Sequence, residues 1–138
     1  MQSTLQNIID NEELTAFFQP ICTSDGNQIY GYEALIRGPS DSPLHSPVNL
    51  FDAAVQCEQL SELELICRKI SIKRFVELKL SGRLFLNISP MVFLQTDHPQ
   101  GKTLSYLKEH GLHADQVVIE ISEKYPIEQT DLLQGALM

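Results

Sequence analysis

Two apolar runs joined by one segment of helical length constrain the fold of this chain more than any other feature. The runs cover residues 83–89 and 117–123, and residues 103–110, followed by Gly111 as a stop, lie between them. Runs that are apolar almost throughout are typical of strands buried on both faces of a parallel sheet. The pattern therefore predicts a strand–helix–strand unit with its two strands parallel.

The N-terminal part of the sequence predicts a pair of antiparallel strands. Residues 14–21 and 28–37 are rich in residue types that favour strands, and the link between them contains the turn sequence Ser24-Asp25-Gly26-Asn27. So short a link indicates antiparallel strands, because parallel neighbours need a crossover of about a dozen residues.

Helical spacing of apolar residues completes the predicted order of elements. It indicates helices over residues 5–11, 48–57, 61–80 and 127–138, so the fold class is α/β. Four strands of a curved sheet leave an open edge, and a closed α/β barrel usually needs about 250 residues. We therefore expect a fragment, a truncation or a unit completed by another chain, with self-association or partial disorder at the open edge.

Composition and charge exclude several classes of protein. The formal net charge of -8 argues against a protein that coats DNA or RNA, because backbone phosphates are bound by clustered Lys and Arg. Cys22, Cys57 and Cys67 form no CxxC pair, which indicates neither a disulfide framework nor a zinc site and favours a reducing, cytoplasmic location. With no signal-peptide pattern and no long apolar stretch in the sequence, we expect no membrane segment in this chain.

Oxygen-bearing side chains lie within the predicted strands. Strand alternation places Glu33, Leu35 and Arg37 on one face, and Asn87 and Glu120 interrupt the two later apolar runs. Because parallel strands of one sheet end on the same side, we expect Glu33, Asn87 and Glu120 to converge there. Their hard oxygen donors suit magnesium, manganese or calcium better than zinc.

A simpler interpretation of the same residues is also open. In it, Glu33 and Glu120 lie at strand ends in solvent, and Asn87 caps the helix that follows its strand. Arg37 then pairs with an acid of the Pro-rich segment 38–47. The acidic residues around the start of the longest predicted helix are expected on a solvated face: Glu58, Glu62 and Glu64.

Four short motifs occur in order along the chain. They are Phe18-Gln19-Pro20-Ile21, Glu33-Ala34-Leu35 followed by Arg37, Asn87-Ile88-Ser89-Pro90, and Glu120-Ile121-Ser122-Glu123. In this order and spacing they resemble the motifs of the EAL domain family. They cover most of the chain but only the first half of the family's domain, so residues 1–138 resemble a single partial EAL domain.

The resemblance implies a fold, an activity and a set of site residues. The family fold is a modified TIM barrel whose first strand is antiparallel to its neighbour, and this chain would supply its first half. Members hydrolyse the bacterial second messenger cyclic di-GMP to linear pGpG with Mg²⁺ or Mn²⁺. By resemblance, the metal ligands are Glu33, Asn87 and Glu120, and the substrate-binding residues are Gln19, Leu35 and Arg37, the last holding a phosphate.

The sequence also departs from the family. Arg37 is followed by Gly38-Pro39, where the family commonly has Arg-Trp after the EAL triplet. After the Pro-rich segment, Ala54-Val55 occurs where the family commonly has Ala-Glu. The family's second half, with its paired aspartates and a lysine, has no counterpart within these 138 residues. We therefore identify no catalytic residue beyond the metal ligands and expect this chain alone to have little or no hydrolase activity. The alternative function is a non-catalytic EAL module that binds cyclic di-GMP or a partner protein.

Overall fold

One four-stranded sheet organises the computed structural model, which describes residues 2–89 and 100–121. Its strands lie side by side in chain order: β1 (Thr15–Cys22), β2 (Ile29–Arg37), β3 (Arg83–Ile88) and β4 (Val117–Ile121). β1 is antiparallel to β2, whereas β3 is parallel to both of its neighbours, β2 and β4. The α/β fold class and the antiparallel first strand are therefore confirmed.

The described helices begin and end close to the predicted bounds. They are α1 (Gln2–Asp10), α2 (Pro47–Gln56), α3 (Leu60–Glu77) and α4 (Gln100–Glu109), with a 3-10 turn at Ala114–Gln116 before β4. The start of α2 shows a local cause, because Pro47 takes a first helical position and the Ser46 hydroxyl accepts a hydrogen bond from the Asn49 amide. The helix predicted over residues 127–138 lies outside the described residues.

Within residues 2–89 and 100–121, every helix is too short or too polar to cross a lipid bilayer.

The turn between β1 and β2 is closed by hydrogen bonds from both backbone and side chains. The Thr23 amide donates to the Gln28 carbonyl at 2.8 Å. The Asp25 carboxylate accepts from the Thr23 hydroxyl and the Asn27 amide. Gly26 has a φ of 74°, a left-handed conformation that glycine adopts at little cost. The Asp-Gly signal in the sequence therefore corresponds to a specific backbone requirement.

Strand alternation separates the core from the candidate site. Leu84 and Leu86 of β3 are 0% and 1% exposed and pack in one cluster with Ile72 and Phe75 of α3. Asn87 lies next to Leu86 on the opposite face and is half-buried. Helix α3 thus covers one face of the sheet, and the candidate site residues occupy the other.

β4 differs from the prediction that it is buried on both faces. Ile119 and Ile121 are 43% and 48% exposed. The physical reason is position, because β4 is the edge strand of the described sheet. An apolar run predicts the strand here, but it does not reveal how much of that strand is covered.

A close approach between β2 and β3 at Gly31 gives a first prediction. A Cβ atom added to Gly31 would lie 2.4 Å from the Arg83 carbonyl oxygen, a backbone atom that cannot rotate away. We expect Gly31→Ala to lower the free energy of unfolding by about 1–3 kcal/mol, because relief of the contact requires a backbone shift. Urea titration followed by circular dichroism measures this change.

Gly26→Ala is the comparison for that experiment. A Cβ at Gly26 meets no atom within 4 Å, so this variant isolates the cost of a left-handed backbone from the cost of crowding. A Gly31→Ala chain as stable as the unsubstituted chain would contradict the close approach of the two strands.

Candidate functional site

The register of three neighbouring strands brings Glu33, Asn87 and Glu120 to one face of the sheet. Asn87 of β3 is the direct partner of Glu120 on β4. Glu33 of β2 is the partner of Phe85, which lies two residues before Asn87 and therefore on the same face. Since neighbouring strands are about 4.8 Å apart, the three side chains extend over two strand spacings.

Glu33 and Glu120 interact across β3. Burial raises the pKa of Glu120, and the negative charge of Glu33 and a side-chain hydrogen bond with it raise that pKa further. Both side chains are half-buried, so neither is fully solvated as the simpler interpretation requires. The alternative role of Asn87, as a cap of the helix after its strand, stays a prediction, because residues 90–99 lie outside the described residues.

The donor atoms of this group fit a divalent cation. Two carboxylates and one amide oxygen are the hard ligands that Mg²⁺, Mn²⁺ and Ca²⁺ take, and a cation beside Glu33 and Glu120 would offset their repulsion. Among the residues that the structure describes, no three His, Cys, Asp or Glu side chains form a group able to hold a metal. The candidate set differs from such a group because its third member is the amide of Asn87.

A cavity of about 170 Å³ lies beside the C-terminal parts of β2 and β3, and both Arg37 and Asn87 line it. The β2–β3 ladder has three residue pairs and ends at Glu33 with Phe85, so the cavity lies beyond the paired part of the strands. Leu35 lines the same cavity. The cavity is also lined by Cys67, Arg68 and Ser71 of α3, so residues of β2, β3 and α3 meet around it.

Arg37 does not make the ion pair that the simpler interpretation assigns to it. Its Nη1 atom donates to the Ile36 carbonyl at 3.3 Å, and no acid within the described ranges lies at ion-pair distance from it. The guanidinium is half-buried. It therefore keeps most of its donors available for a ligand.

Gln19 reaches the site from the antiparallel strand. It is the direct partner of Glu33 in the β1–β2 ladder, and its side chain is exposed. It lies beside the carboxylate group and does not line the cavity that contains Arg37. The predicted substrate-binding residues thus fall into two places, with Leu35 and Arg37 in the cavity and Gln19 next to Glu33.

Sequence reasoning missed a buried charge pair in α3. Glu64 and Arg68 are 1% and 3% exposed, so the assignment of Glu64 to a solvated face is wrong, whereas Glu58 and Glu62 are exposed as expected. Both oxygens of the Glu64 carboxylate accept from the Ser89 amide, at 3.1 and 3.3 Å. Arg68 lines the cavity described above.

The sequence contained a signal for this pair. Glu64 and Arg68 are four residues apart, which places an acid and a base on one helix face. Their immediate neighbours Leu63, Leu65 and Cys67 are apolar and buried. Apolar residues beside an acid–base pair indicate that this part of the helix is covered, although Lys69, the other neighbour of Arg68, is charged and half-buried.

The family of the chain follows from a match along its length. A model of the EAL domain matches residues 2–138. The chain belongs to the EAL domain family. The order of the four motifs and the antiparallel first strand of this EAL chain agree with the match.

Solved structures of other proteins share the fold. A PaMucR phosphodiesterase complex with cyclic di-GMP has a TM-score of 0.74 and 15% identity, and the match covers 95% of this chain and 55% of that one. A Klebsiella pneumoniae BlrP1 complex with manganese and cyclic di-GMP has a TM-score of 0.66 and 28% identity, covering 91% and 31%. An EAL domain protein from Listeria monocytogenes EGD-e has a TM-score of 0.68 and 22% identity, covering 89% and 49%.

The EAL chain thus spans between about a third and just over half of the solved chains named here. No curated protein sequence matches it.

The contact between Glu33 and Glu120 predicts pH-dependent stability in metal-free buffer. Because the folded-state pKa of Glu120 lies above its ordinary value of 4.5, the ionised side chain destabilises the fold at neutral pH. That penalty fades as the pH falls through the raised pKa toward 4.5. We expect Glu120→Gln to raise the urea midpoint at neutral pH and to lose this advantage at the acidic end of the range.

The control for this titration is Glu13→Gln, which changes an exposed acid between α1 and β1 and should leave the midpoint unchanged at every pH. A Glu120→Gln effect of equal size at acidic and neutral pH would contradict the contact.

Proposed function

We propose that this EAL chain is the N-terminal part of a metal-dependent phosphodiesterase that hydrolyses cyclic di-GMP to linear pGpG in bacterial signalling. The observation that carries the proposal is the placement of Glu33, Asn87 and Glu120 on one face, with Arg37 in a cavity that Asn87 also lines. Complexes of fold relatives with cyclic di-GMP and manganese support it. On this proposal residues 1–138 are a single partial EAL domain.

In this proposal Glu33, Asn87 and Glu120 hold Mg²⁺ or Mn²⁺. The bound cation would supply Lewis-acid chemistry, which activates water and offsets charge on a phosphodiester. The chain's own side chains prepare that site, because the two carboxylates concentrate negative charge and the Asn87 amide adds a neutral oxygen donor. A cation also explains how a chain of net charge -8 accepts a dianionic nucleotide.

The substrate-binding roles are assigned to Arg37, Leu35 and Gln19. The guanidinium of Arg37 presents a planar fork of donors that suits a phosphate oxygen pair. Leu35 gives the same cavity an apolar wall, and Gln19 offers an exposed amide beside Glu33. Strand β2 thus contributes a metal ligand, Glu33, and four residues later a hydrogen-bond donor to phosphate, Arg37.

The location and partners follow from the same proposal. All three cysteines are free thiols, which agrees with the reducing bacterial cytoplasm in which a nucleotide second messenger acts. The expected partner is cyclic di-GMP rather than DNA or RNA. Self-association through the edge strand β4 is a second expected interaction, because unpaired strand edges and exposed apolar side chains such as Ile119 and Ile121 favour it.

A nucleotide-binding module without hydrolase activity is the alternative. The 138-residue chain offers three candidate ligands, which suit one cation, whereas metal-assisted hydrolysis by two cations needs more ligands in fixed geometry. We therefore propose little or no hydrolysis by this chain alone. A full-length parent would distinguish the two functions. An enzyme would convert cyclic di-GMP to linear product, whereas a binding module would bind the nucleotide and leave it intact.

Nucleotide binding should depend on Arg37. We expect Arg37→Ala to weaken cyclic di-GMP binding in the presence of Mg²⁺ by about 10- to 100-fold, because a hydrogen bond to a charged group contributes roughly 1.5–3 kcal/mol. Isothermal titration calorimetry measures the affinity. The matched control is Arg74→Ala, which removes the same charge from an exposed position at the end of α3 and should have little effect. Equal losses in both variants would show that only net charge matters.

Hydrolysis gives a separate test. We expect the 138-residue chain, incubated with cyclic di-GMP and Mg²⁺ or Mn²⁺, to release linear pGpG no faster than a Glu33→Gln chain does. Chromatographic separation of cyclic and linear dinucleotide measures the rate. Turnover at an ordinary enzymatic rate of about 1 per second or more would show that the proposed inactivity is wrong.

A further inference from the structure

We infer that Glu64 is a positioning residue for the metal site, because its buried carboxylate fixes the backbone directly after β3 and so holds Asn87 in place beside Glu120. The inference rests on the proposed function, since it assigns Asn87 and Glu120 to a cation. It adds a residue of α3, on the opposite side of the sheet, to the parts of the molecule that determine metal affinity.

The contact that carries the inference joins a helix to the end of a strand. Ser89 follows the last residue of β3 and lies two residues after Asn87. Its amide, in a residue only 3% exposed, donates to both oxygens of the Glu64 carboxylate at 3.1 and 3.3 Å. A charged acceptor makes such a bond stronger than one between neutral groups. The position of the β3 end is therefore set by α3 as well as by the sheet.

A second contact fixes the Glu64 side chain itself. Arg68, one helical turn later, places Nη1 3.8 Å from Glu64 Oε1 and donates from Nε to the Thr103 hydroxyl of α4 at 3.0 Å. The result is a continuous connection from the β3 end through α3 to α4. Arg68 also lines the cavity beside the C-terminal parts of β2 and β3, so this connection reaches the end of the sheet at which Asn87 lies.

General support of the fold is a weaker explanation for this arrangement. Removing two charges from water is costly, and apolar residues of similar volume usually serve a core equally well or better. The Lys69–Glu12 pair shows what the same helix does where no site is near, because both of its side chains are about one-third exposed. A buried acid that accepts from the backbone amide directly after β3 is better explained by a need to fix that amide.

Groups that orient a metal ligand without touching the metal have measurable effects. Their removal typically weakens metal binding by about 10- to 100-fold. Because Asn87 is a neutral ligand with a weak individual attraction for a cation, its contribution depends on correct placement. An anchor two residues away is suited to provide that placement.

The experiment compares two double variants of the 138-residue chain. Glu64→Met with Arg68→Leu removes both charges and the acceptor for the Ser89 amide. Glu64→Gln with Arg68→Leu removes the same charges but keeps an oxygen that can accept from Ser89. We expect the first to weaken Mn²⁺ binding about 10-fold or more and the second to stay within about threefold of the unsubstituted chain. Electron paramagnetic resonance of free Mn²⁺ measures the affinity.

A stability control separates positioning from loss of fold. Leu63→Ala, at a fully buried position of the same helix, should lower the urea midpoint without the selective loss of Mn²⁺ affinity. Equal loss of affinity in Leu63→Ala and in the Met–Leu variant would overturn the inference. So would Mn²⁺ binding by the Met–Leu variant as tight as that of the unsubstituted chain.

The unsubstituted chain gives a further test that does not depend on any variant folding. If the Ser89 anchor supports cation binding, then by reciprocity the cation must stabilise the anchor. We expect saturating Mg²⁺ to slow hydrogen exchange of the Ser89 amide several-fold, while the Gly26 amide in the distant turn is unchanged. Unaltered exchange at Ser89 in a chain that binds Mg²⁺ would overturn this inference but leave the proposed function standing. A chain that binds neither Mg²⁺ nor Mn²⁺ would refute the proposed function, and the inference with it.

Discussion

Everything at the site depends on the pairing of β3 with β2 on one side and β4 on the other. The β3–β4 ladder pairs Asn87 with Glu120. The β2–β3 ladder pairs Glu33 with Phe85, which lies two residues before Asn87 and on the same face of the sheet. A shift of either ladder by one residue would turn these side chains to the opposite face of the sheet. The burial of Leu84 and Leu86 opposes such a shift, because the shift would move both side chains from the core to the opposite face.

The packing of α3 therefore serves the site as well as the core. Ile72 and Phe75 cover the apolar face of β3, and two helical turns before Ile72 the Glu64 carboxylate contacts the residue that follows the same strand. The apolar contacts determine where the strand lies. The contact between the Glu64 carboxylate and the Ser89 amide determines the position of the strand's C-terminal end. Apolar packing alone constrains that end least.

The sequence predicts the order and direction of the strands well, because each depends on a local signal. The Asp25-Gly26 turn requires a hairpin, and the spacing of Asn87 and Glu120 is that of a strand–helix–strand unit. Two features were not predicted, because local signals alone do not determine them. The exposure of β4 depends on what lies beside it in space, and the burial of Glu64 depends on Ser89, 25 residues further along the chain. The apolar neighbours of Glu64 and Arg68 indicate that this part of the helix is covered, but charged residues near a helix start are usually solvated, so the contact with Ser89 decides that Glu64 is buried.

The direction of β1 determines where a label or an inserted segment can be placed away from the candidate site. Since β1 runs against β2, the turn at residues 23–28 lies at the end of the sheet away from Arg37 and from the C-terminal ends of β3 and β4. Its backbone is closed by its own hydrogen bonds rather than by the core. A labelled cysteine, an affinity tag or an inserted segment placed there would lie at the end of the sheet opposite the candidate site.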